Sequence, residues 1–598
     1  MTLSPHEPNR EAPPGDFRPS TSRKRNWLLW FSLAALLIFG LLGWPLITQI
    51  LWGPLQGRAA SSQIQPATAT SSLESQSAET PSPTPFIIDE IAPDQAAPEA
   101  DIVFISVSHA GYSHLYHYDL ESRQKNILIG GDWDDIHPLL SPDHQTLAFA
   151  SNRAGHWDLF TLNLENGDLS QVSNDLIYQA APSWSFDGTW LAYERYDNQN
   201  LDIYILPMDG SVDPVRITTD AGIDFSPAWS PSTQQIAFVS NRTGSNQIWL
   251  VDLTSNSSDR FQQLASGEAQ KDPAWSADGR HLAWSALEGG LWRVYALDVT
   301  NPTAAPQMIG AGEQPTWSPD GETILAVLRD PNENYLTAYT LEGALVLAPE
   351  PLLGQVNGLS WATAHEADSL PPSLLSQSAE EDETSWLLPP LINSPDRQEL
   401  LPLSNVAAPY GQLSALALTY FDALRARSAQ ALGWDLLSNL ENAYLPLNVP
   451  LPPNRQSDWL YTGRAFSLID GLLAADWLQV TREDFGGETY WRVFVRPAVQ
   501  DGSLGRPMLE SGWNFDARFA GDNNAYQAGG KPSDNAAPGY WLDFSSLAAD
   551  FGWDRLPSLP NWRSYYQGAL FAEFALRQGM SWEEAMLQIY PPEVLAGP

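Results

Sequence analysis

The chain has 598 residues with 71 acidic against 31 basic side chains, and the resulting formal net charge of −40 disfavours nucleic acid as a partner. It contains no cysteine, which excludes disulfides, thiolate nucleophiles and zinc sites with cysteine ligands. Aromatic residues make up 11% of the chain, as in folded proteins, and the length allows several domains.

The N-terminal stretch predicts a membrane anchor. Residues 1–26 are polar and end in a basic cluster, whereas residues 27–52 carry no charge and are mostly apolar. About 26 such residues suffice for a tilted helix across roughly 30 Å of hydrocarbon. A cleaved signal peptide is the alternative, but its apolar core is usually shorter. The basic side should stay in the cytoplasm, which predicts a single-pass protein of a bacterial cell membrane.

Residues 53–100 are rich in Ser, Thr, Ala, Pro and Gln without hydrophobic periodicity, and they predict a disordered linker outside the cytoplasm. Beyond them, a two-residue anchor recurs in steps of 44, 45, 46, 42 and 44 residues. The anchors are Leu140-Ser141, Trp184-Ser185, Trp229-Ser230, Trp275-Ser276, Trp317-Ser318 and Trp361-Ala362. This period is typical of a four-stranded propeller blade.

The repeat also resembles a known family. Trp317-Ser318-Pro319-Asp320-Gly321 is followed by an apolar strand, and other repeats continue into Ser-Asn-Arg, as at residues 151–153 and 240–242. This pattern is similar to the WD40-like PD40 repeat of the TolB family over roughly residues 102–362. The resemblance implies a six-bladed propeller over residues 101–362. Its first and last segments should share one blade, since closure removes exposed sheet edges.

Seven polar residues precede the first strands of successive blades and should gather at one mouth of the central channel. These candidate binding residues are Asp135, His137, Gln179, Asp224, Lys271, Asp272 and Glu313. A ring with several carboxylates suits a cation or a basic peptide end, whereas a solvated loop rim is the alternative. The sequence predicts no catalytic residue, metal or cofactor here.

A second linker is expected over residues 363–402 and an α+β domain over residues 403–598. Apolar residues at helical spacing predict helices at 413–424, at 463–477 and before Gly579. Strands are predicted at 478–482 and 490–496, and Ser581 with Glu584 forms a capping box.

No histidine follows residue 365, so this domain cannot contain a Ser-His-Asp triad or a histidine-ligated zinc. Residues 502–505 also lack the nucleophile elbow of propeller-linked hydrolases such as the prolyl oligopeptidase family.

The segment Asp458 to Ser467 resembles the S-x-H-x-x-G-x-A-x-D motif of zinc D-Ala-D-Ala carboxypeptidases. Gly463 and Ala465 match, but Leu460 and Ser467 replace the family's histidine and aspartate, which implies a lost zinc site. A chance match at a buried helix start is the alternative.

The sequence therefore favours a noncatalytic binding or scaffold protein of the cell envelope. The propeller would recognise a protein or peptide, and the C-terminal domain would engage an envelope component such as peptidoglycan. The alternative is a peptidase or glycosidase of the envelope with a carboxylate-based site, either at the propeller mouth, where Asp135 is a candidate, or in the C-terminal domain. Its candidate carboxylates are Asp550, Asp554, Glu573, Glu583 and Glu584. A purely structural spacer is a third possibility.

Overall fold

The computed structural model describes residues 102–301, 303–352, 354–363, 397–451, 455 and 457–595. The predicted cytoplasmic tail, membrane helix, first linker and most of the second linker lie outside these residues. Within the described part of the chain, no helix is both long and apolar enough to cross a bilayer.

Residues 102–362 form six antiparallel four-stranded sheets. The first sheet contains β1 (Ile102–His109), β2 (Tyr112–Asp119), β3 (Lys125–Ile129) and β24 (Val356–Ala362). The second contains β4 (Asp135–Leu140), β5 (Thr146–Ser151), β6 (Asp158–Asn163) and β7 (Leu169–Gln171). The third contains β8 (Gln179–Trp184), β9 (Trp190–Asp197), β10 (Asn200–Pro207) and β11 (Val215–Arg216).

The fourth sheet contains β12 (Asp224–Trp229), β13 (Gln235–Ser240), β14 (Gln247–Asp252) and β15 (Phe261–Gln263). The fifth contains β16 (Ala269–Trp275), β17 (His281–Glu288), β18 (Leu291–Asp298) and β19 (Gln307–Ala311). The sixth contains β20 (Glu313–Trp317), β21 (Thr323–Arg329), β22 (Asn334–Thr340) and β23 (Leu345–Leu352).

The six sheets close into a ring. The inner strands β4, β8, β12, β16, β20 and β24 contact one another in this order, and β24 contacts β4 again. Strand β24 pairs antiparallel with β1, with Trp361 opposite Val103, so the first and last segments share one sheet as the repeat predicts. Each inner strand is still the edge strand of its own sheet, but ring closure places that edge beside the neighbouring inner strands, where it is protected.

The repeated anchor has two structural roles. Within a turn, the Ser318 hydroxyl donates to Asp320 at 2.5 Å and accepts the backbone N–H of Thr323 at 2.9 Å. Between sheets, the indole N–H of Trp317 donates to the carbonyl of Ala274 at 3.0 Å, one repeat earlier. The same link to the preceding sheet recurs at Trp184 and Trp275, so the tryptophan ties three of the sheets to their predecessors.

Five of the six inner strands, β4, β8, β12, β16 and β20, also contain a bulge next to a proline. The register shifts there, and the residue before proline has a positive φ. These residues are His137, Ala181, Ser226, Asp272 and Gln314. The bulge exposes backbone amides for side-chain acceptors: Ser226 N–H donates to Glu194 at 2.9 Å, and Gln314 N–H donates to Asp272 at 3.2 Å.

The described residues from 397 onward form a mixed domain. Its strands are β25 (Leu400–Pro402), β26 (Gln412–Ser414), β27 (Leu440–Asn442), β28 (Ala465–Leu468), β29 (Leu478–Phe485), β30 (Glu488–Val495), β31 (Arg506–Pro507), β32 (Trp513–Asn514), β33 (Lys531–Pro532), β34 (Tyr540–Asp543), β35 (Asp554–Arg555) and β36 (Glu573–Ala575). Its helices are α1 (Ala415–Leu432), α2 (Gly471–Ala474), α3 (Asn523–Ala528), α4 (Phe544–Asp550), α5 (Trp582–Ile589) and α6 (Pro592–Leu595). Two four-stranded sheets, β27-β28-β36-β35 and β29-β30-β34-β31, organise it.

Several predictions for this domain are confirmed and two are wrong. Helix α1, the hairpin β29-β30 and the Ser581–Glu584 capping box occur where expected. The predicted helix over residues 463–477 is instead strand β28 followed by the single turn α2. The predicted helix before Gly579 is a 3-10 turn, Tyr566–Ala569, followed by β36. All four residues of β28 are buried, and pairing with β27 and β36 outweighs their helical spacing.

Candidate functional site

The C-terminal domain covers the propeller mouth at which the candidate binding residues were expected. The loops that join the second and third strands of each sheet lie at this end, together with the starts of the inner strands. Both belong to one compact unit with the C-terminal domain.

Polar contacts tie the domain to five of the six sheets. Tyr112 OH donates to Gln430 at 3.0 Å, Arg427 Nε to the Gly111 carbonyl at 3.0 Å, Trp157 Nε1 to the Gly505 carbonyl at 3.0 Å, Gly539 N–H to Tyr196 OH at 2.6 Å, Asn246 Nδ2 to the Leu509 carbonyl at 3.1 Å, and Arg555 Nε to the Pro331 carbonyl at 3.1 Å. In the fifth sheet, a Cβ added to Gly290 would lie 3.1 Å from Cβ of Asp484. The domain therefore spans the whole rim.

Two candidate aspartates are held by arginines of their own sheets. Asp135 is fully buried, and Arg153 donates to it at 2.6 Å. Asp224 is also fully buried, and Arg242 donates to both of its carboxylate oxygens at 2.9 Å. Burial raises the pKa of both carboxyls, and the arginines oppose this shift. These pairs satisfy the buried carboxylates at the start of the inner strand, and removing either arginine would leave an uncompensated buried charge.

Lys271, Asp272 and Glu313 form a second polar group across two neighbouring inner strands. Lys271 Nζ lies 2.7 Å from Glu313, which also pairs with Arg329. Although burial lowers the pKa of Lys271, the Glu313 and Asp272 carboxylates raise it overall. Asp272 accepts the Ser285 hydroxyl at 2.9 Å. The group is charged and sits directly under the C-terminal domain.

The remaining candidates, Gln179 and His137, contribute no charge to the mouth. Gln179 is 1% exposed and donates to Asp175 at 3.1 Å. Burial, reinforced by the positive charge of Arg506, lowers the pKa of His137 to about 3, so its ring is neutral at physiological pH. All seven candidates thus lie at the covered mouth, and their binding of an outside partner stays a prediction.

Sequence reasoning missed the arginine partners of the rim. Arg153 and Arg242 each follow their aspartate by 18 residues, so the constant spacing was the available signal. It also missed Arg506 and its neighbours, for which no repeat exists.

A charged cluster joins the two domains beside the sixth sheet. Arg555 NH1 donates to Glu483 at 2.6 Å, and Arg492 lies 3.6 Å from the same carboxylate. Burial raises the pKa of Glu483, but Arg555 and Arg492 outweigh it and hold the value at about 2. Arg555 Nε also donates to the Pro331 carbonyl at 3.1 Å, and its backbone N–H donates to Asn332 Oδ1 at 2.9 Å. Arg555 therefore acts as a clamp between the domains.

The carboxylates of the alternative hydrolase hypothesis have structural partners. Glu573 forms a two-pronged pair with Arg455 at 2.9 and 2.6 Å, and Asp554 accepts Arg577 at 2.8 Å. Asp550 accepts the Ser108 hydroxyl at 2.6 Å across the domain boundary, and Glu584 closes the capping box. Glu583 lies in the first turn of α5. Four of the five carboxylates therefore have hydrogen-bond or ion-pair partners within the chain.

The carboxypeptidase-like segment surrounds a buried ion group. Leu460 is 3% exposed, and Ser467 pairs in register with Glu573. Arg455 also lies 3.1 Å from Asp458, whose pKa burial and the Glu573 charge raise to about 6. Within the described residues, no group of three or more His, Asp or Glu side chains is placed to hold a metal ion.

Comparisons with known proteins show what the repeat region is similar to. Residues 170–365 match the family model described as PD40, TolB beta propeller domain. A TolB homolog of Chlorobium luteolum is 31% identical over 157 residues, which cover 26% of this chain and 34% of that protein. The Tol-Pal system protein TolB of Francisella tularensis subsp. mediasiatica is 26% identical over 164 residues, covering 26% and 36%. The crystal structure of TolB from Acinetobacter baumannii has a TM-score of 0.40 and 22% identity, covering 44% and 66%. This chain spans about a third of the length of the curated relatives it matches.

Proposed function

From the premise that the chain carries a TolB-type β propeller, we propose that it is a membrane-anchored binding protein of the bacterial envelope. The uncharged stretch at residues 27–52 supports the anchor, with the bulk of the chain outside the cytoplasm. The name of one relative, the Tol-Pal system protein TolB of Francisella tularensis subsp. mediasiatica, supports a role within a system of several proteins.

One observation carries the proposal: the mouth already holds a stretch of polypeptide. Gly505 and Leu509 of the C-terminal domain accept hydrogen bonds from Trp157 and Asn246 on the rim. Tyr540 packs into the apolar cluster of the inner strands, with its ring 5.3 Å from that of Tyr196. A surface that binds an extended segment of its own chain through backbone carbonyls has the chemistry to bind a protein or peptide partner.

The test is site-specific photocrosslinking of the full chain in the source bacterium. A photoreactive residue replaces Thr243, which is exposed in the mouth loop of the fourth sheet, and the matched control replaces Asp187, which lies in a turn at the opposite end. We expect Thr243 to crosslink a discrete envelope protein and Asp187 to give none. Crosslinks from Asp187 alone would place the binding surface elsewhere and contradict the proposal.

We also propose that the C-terminal domain engages an envelope component such as peptidoglycan without cleaving it. The support is that Glu573, Asp554 and Asp550 serve ion pairs and hydrogen bonds within the chain. The test incubates the detergent-solubilised full chain with purified sacculi. Co-sedimentation without soluble fragments is expected, whereas released fragments would instead identify a hydrolase.

A further inference from the structure

The two most exposed aromatic residues in the described part of the chain lie seven positions apart in the C-terminal domain. Phe519 ends the 3-10 turn Phe515–Phe519 and is 70% exposed, and Tyr526 belongs to α3 and is 62% exposed. The turn and α3 pack against each other. Two open rings on neighbouring elements form an apolar patch of the kind that marks an interaction site.

Hydrogen bonds fix the backbone that carries the two rings. Asn514 Oδ1 accepts the N–H of Asp516 at 3.0 Å at the start of the turn, and Asp522 Oδ1 accepts the N–H of Asn524 at 2.8 Å at the start of α3. Strand β32 before the turn pairs with β33 after α3. The rings are therefore held in water by an ordered segment, and a partner meets them without first ordering a loop.

Two arginines border the rings. The guanidinium of Arg518 lies 4.6 Å from the Phe519 ring, and that of Arg563 lies 5.2 Å from the Trp562 ring. A Cβ added to Gly529, which ends α3, would lie 2.8 Å from Cα of Arg563, so Arg563 adjoins this helix. Arg518 Nε is buried without a hydrogen-bond partner among the described residues.

Most other arginines of the domain use their donors within the chain. Arg492 and Arg555 pair with carboxylates, and Arg464 donates to a backbone carbonyl. Among the described residues, neither Arg518 nor Arg563 has an ion-pair partner, although the chain has 71 acidic residues. Their planar donors are thus available to a carboxylate from outside, which a guanidinium binds through two parallel hydrogen bonds.

The polar groups around the rings suit a sugar polymer better than a lipid surface. Asn523, Asn524 and Gln527 are exposed on α3, and side-chain amides both donate to and accept from sugar hydroxyl and acetamido groups. The C–H groups of a sugar ring pack on the electron-rich face of an aromatic ring. Asp516 and Asp534 are exposed in the same segment, and an anionic membrane would repel both.

The rings are accessible while the two domains are docked. The contacts between the C-terminal domain and the propeller involve other residues, such as Gln430, Gly505 and Leu509. Charged side chains flank both rings, whereas the centre of a protein interface is depleted of charge. The surroundings therefore favour a glycan over a protein, and its binding needs no separation of the domains.

We propose that Arg518, Phe519, Tyr526 and Arg563, called the glycan surface here, bind a carboxylate-bearing glycan strand of the envelope. The two aromatic rings pack on the sugar faces, and the two guanidiniums bind carboxylates that the strand carries. This inference rests on the proposed engagement of peptidoglycan by the C-terminal domain, and it names the surface and the chemistry of the contact.

The first test is co-sedimentation of the detergent-solubilised full chain with purified sacculi. In Phe519→Ala with Tyr526→Ala, the loss of both rings should weaken binding at least about tenfold. The matched control, Phe186→Ala with Tyr410→Ala, removes rings that are 44% and 40% exposed elsewhere and should bind as the wild type does. Circular dichroism verifies that each variant is folded.

The second test isolates the contribution of charge. Arg518→Gln with Arg563→Gln should weaken binding to native sacculi, whereas Arg123→Gln with Arg280→Gln, which removes the same charge from exposed propeller residues, should not. Amidation of the carboxyl groups of the sacculi should lower the affinity of the wild type to that of the Arg518 and Arg563 double variant. The same amidation should leave the affinity of that double variant unchanged. An equal fall for both proteins would contradict direct pairing.

The third test identifies the class of partner in the source bacterium. A photoreactive phenylalanine analogue replaces Phe519 and preserves an aromatic ring there. We expect an adduct of high mass that digestion with a muramidase reduces in size. A discrete adduct that resists the muramidase would show a protein partner and overturn the inference, and this result does not depend on the folding of the alanine variants.

Failure of this inference is distinguishable from failure of the proposed function. If the wild type does not sediment with sacculi, both are wrong. If the wild type sediments and folded Phe519→Ala with Tyr526→Ala binds as tightly, the glycan surface is wrong. The C-terminal domain would then engage peptidoglycan through other residues.

Discussion

The propeller and the C-terminal domain are stabilised in different ways. In the propeller one type of contact recurs. Trp184, Trp275 and Trp317 each donate an indole N–H to a carbonyl of the preceding sheet, at 3.2, 2.9 and 3.0 Å. The C-terminal domain depends on contacts that occur once, such as the buried Arg464 and the clamp Arg555. Repeated contacts leave a period in the sequence, whereas single contacts leave none. The covered mouth depends on contacts that occur once, so it is visible in the folded chain but leaves no period in the sequence.

The largest effect expected in the propeller follows from removing one anchor. Trp317 is 7% exposed, and Trp317→Ala deletes its packing and the hydrogen bond to Ala274. We expect a loss of about 4 kcal/mol in the free energy of unfolding, measured by denaturant titration. The matched control is Trp477→Ala, where 40% of the residue is exposed, with a loss under about 1 kcal/mol. Equal losses would show that the repeated anchor is not special.

A comparable single-copy contact in the C-terminal domain is Arg464. It is fully buried and donates to the Leu576 carbonyl and to Gln588 and Gln578, at 2.9, 3.0 and 2.7 Å. Burial lowers its pKa to about 10, so the residue is still charged at neutral pH. Arg464→Met should cost about 3 kcal/mol, because buried acceptors lose their donors.

The matched control for Arg464 is Arg563→Met. Arg563 is exposed and stacks 5.2 Å from the Trp562 ring, so its loss should cost less than about 1 kcal/mol. Both variants are compared by thermal and denaturant unfolding. A stable Arg464→Met protein would contradict the view that this single contact organises the domain.

The smallest expected effect concerns pH at the boundary between the domains. Burial raises the pKa of Asp550 to about 7, against the hydrogen bond from Ser108, while Asp134 raises it and Arg427 lowers it. A carboxyl with a raised pKa binds its proton more tightly in the docked state, so stability falls as pH rises from about 4 to 7. In Asp550→Asn, the fall in unfolding free energy between pH 5 and pH 8 should be smaller by about 1 kcal/mol.

The control for this pH effect is Glu583→Gln, which changes an exposed carboxylate in the first turn of α5. Its pH dependence should match that of the wild type. If the unfolding free energy of Asp550→Asn falls with pH as steeply as that of the wild type, the Asp550 carboxyl does not cause the pH dependence of stability.

The sequence predicted the ring well because its signals are local and repeated. The Trp-Ser-Pro-Asp-Gly turn at residues 317–321 is a hydrogen-bonded unit within six residues, and its recurrence fixed the blades. The rim residues occupy equivalent positions at the starts of the inner strands, which the period also predicts. Their buried state was not predictable, because Arg506 and Tyr540 come from distant parts of the chain without a repeat.

The errors in the C-terminal domain have a similar cause. Residues 465–468 have helical spacing of apolar side chains, but they lie between β27 and β36, and β36 is more than a hundred residues away in sequence. Sheet pairing at that distance is a tertiary effect that local periodicity does not record. In contrast, helix α1 carries its own N-cap, Ser414, and its own C-terminal glycine, Gly433, and it was predicted correctly.

The most direct test of the covered mouth uses an engineered disulfide in this cysteine-free chain. Gly290→Cys with Asp484→Cys joins the fifth sheet to the C-terminal domain. The two Cβ positions lie 3.1 Å apart, so the Gly290 loop must move outward by about 0.5 Å to reach the separation usual in disulfides. A protease site inserted between residues 364 and 396 then separates the domains after mild oxidation. In the control pair, Gly155→Cys is combined with Asp484→Cys. A Cβ added at Gly155 would meet nothing within 4 Å. We expect the cleaved halves of the first pair to stay together on a non-reducing gel and those of the control to separate. Separation of both pairs would contradict a C-terminal domain that covers the propeller mouth.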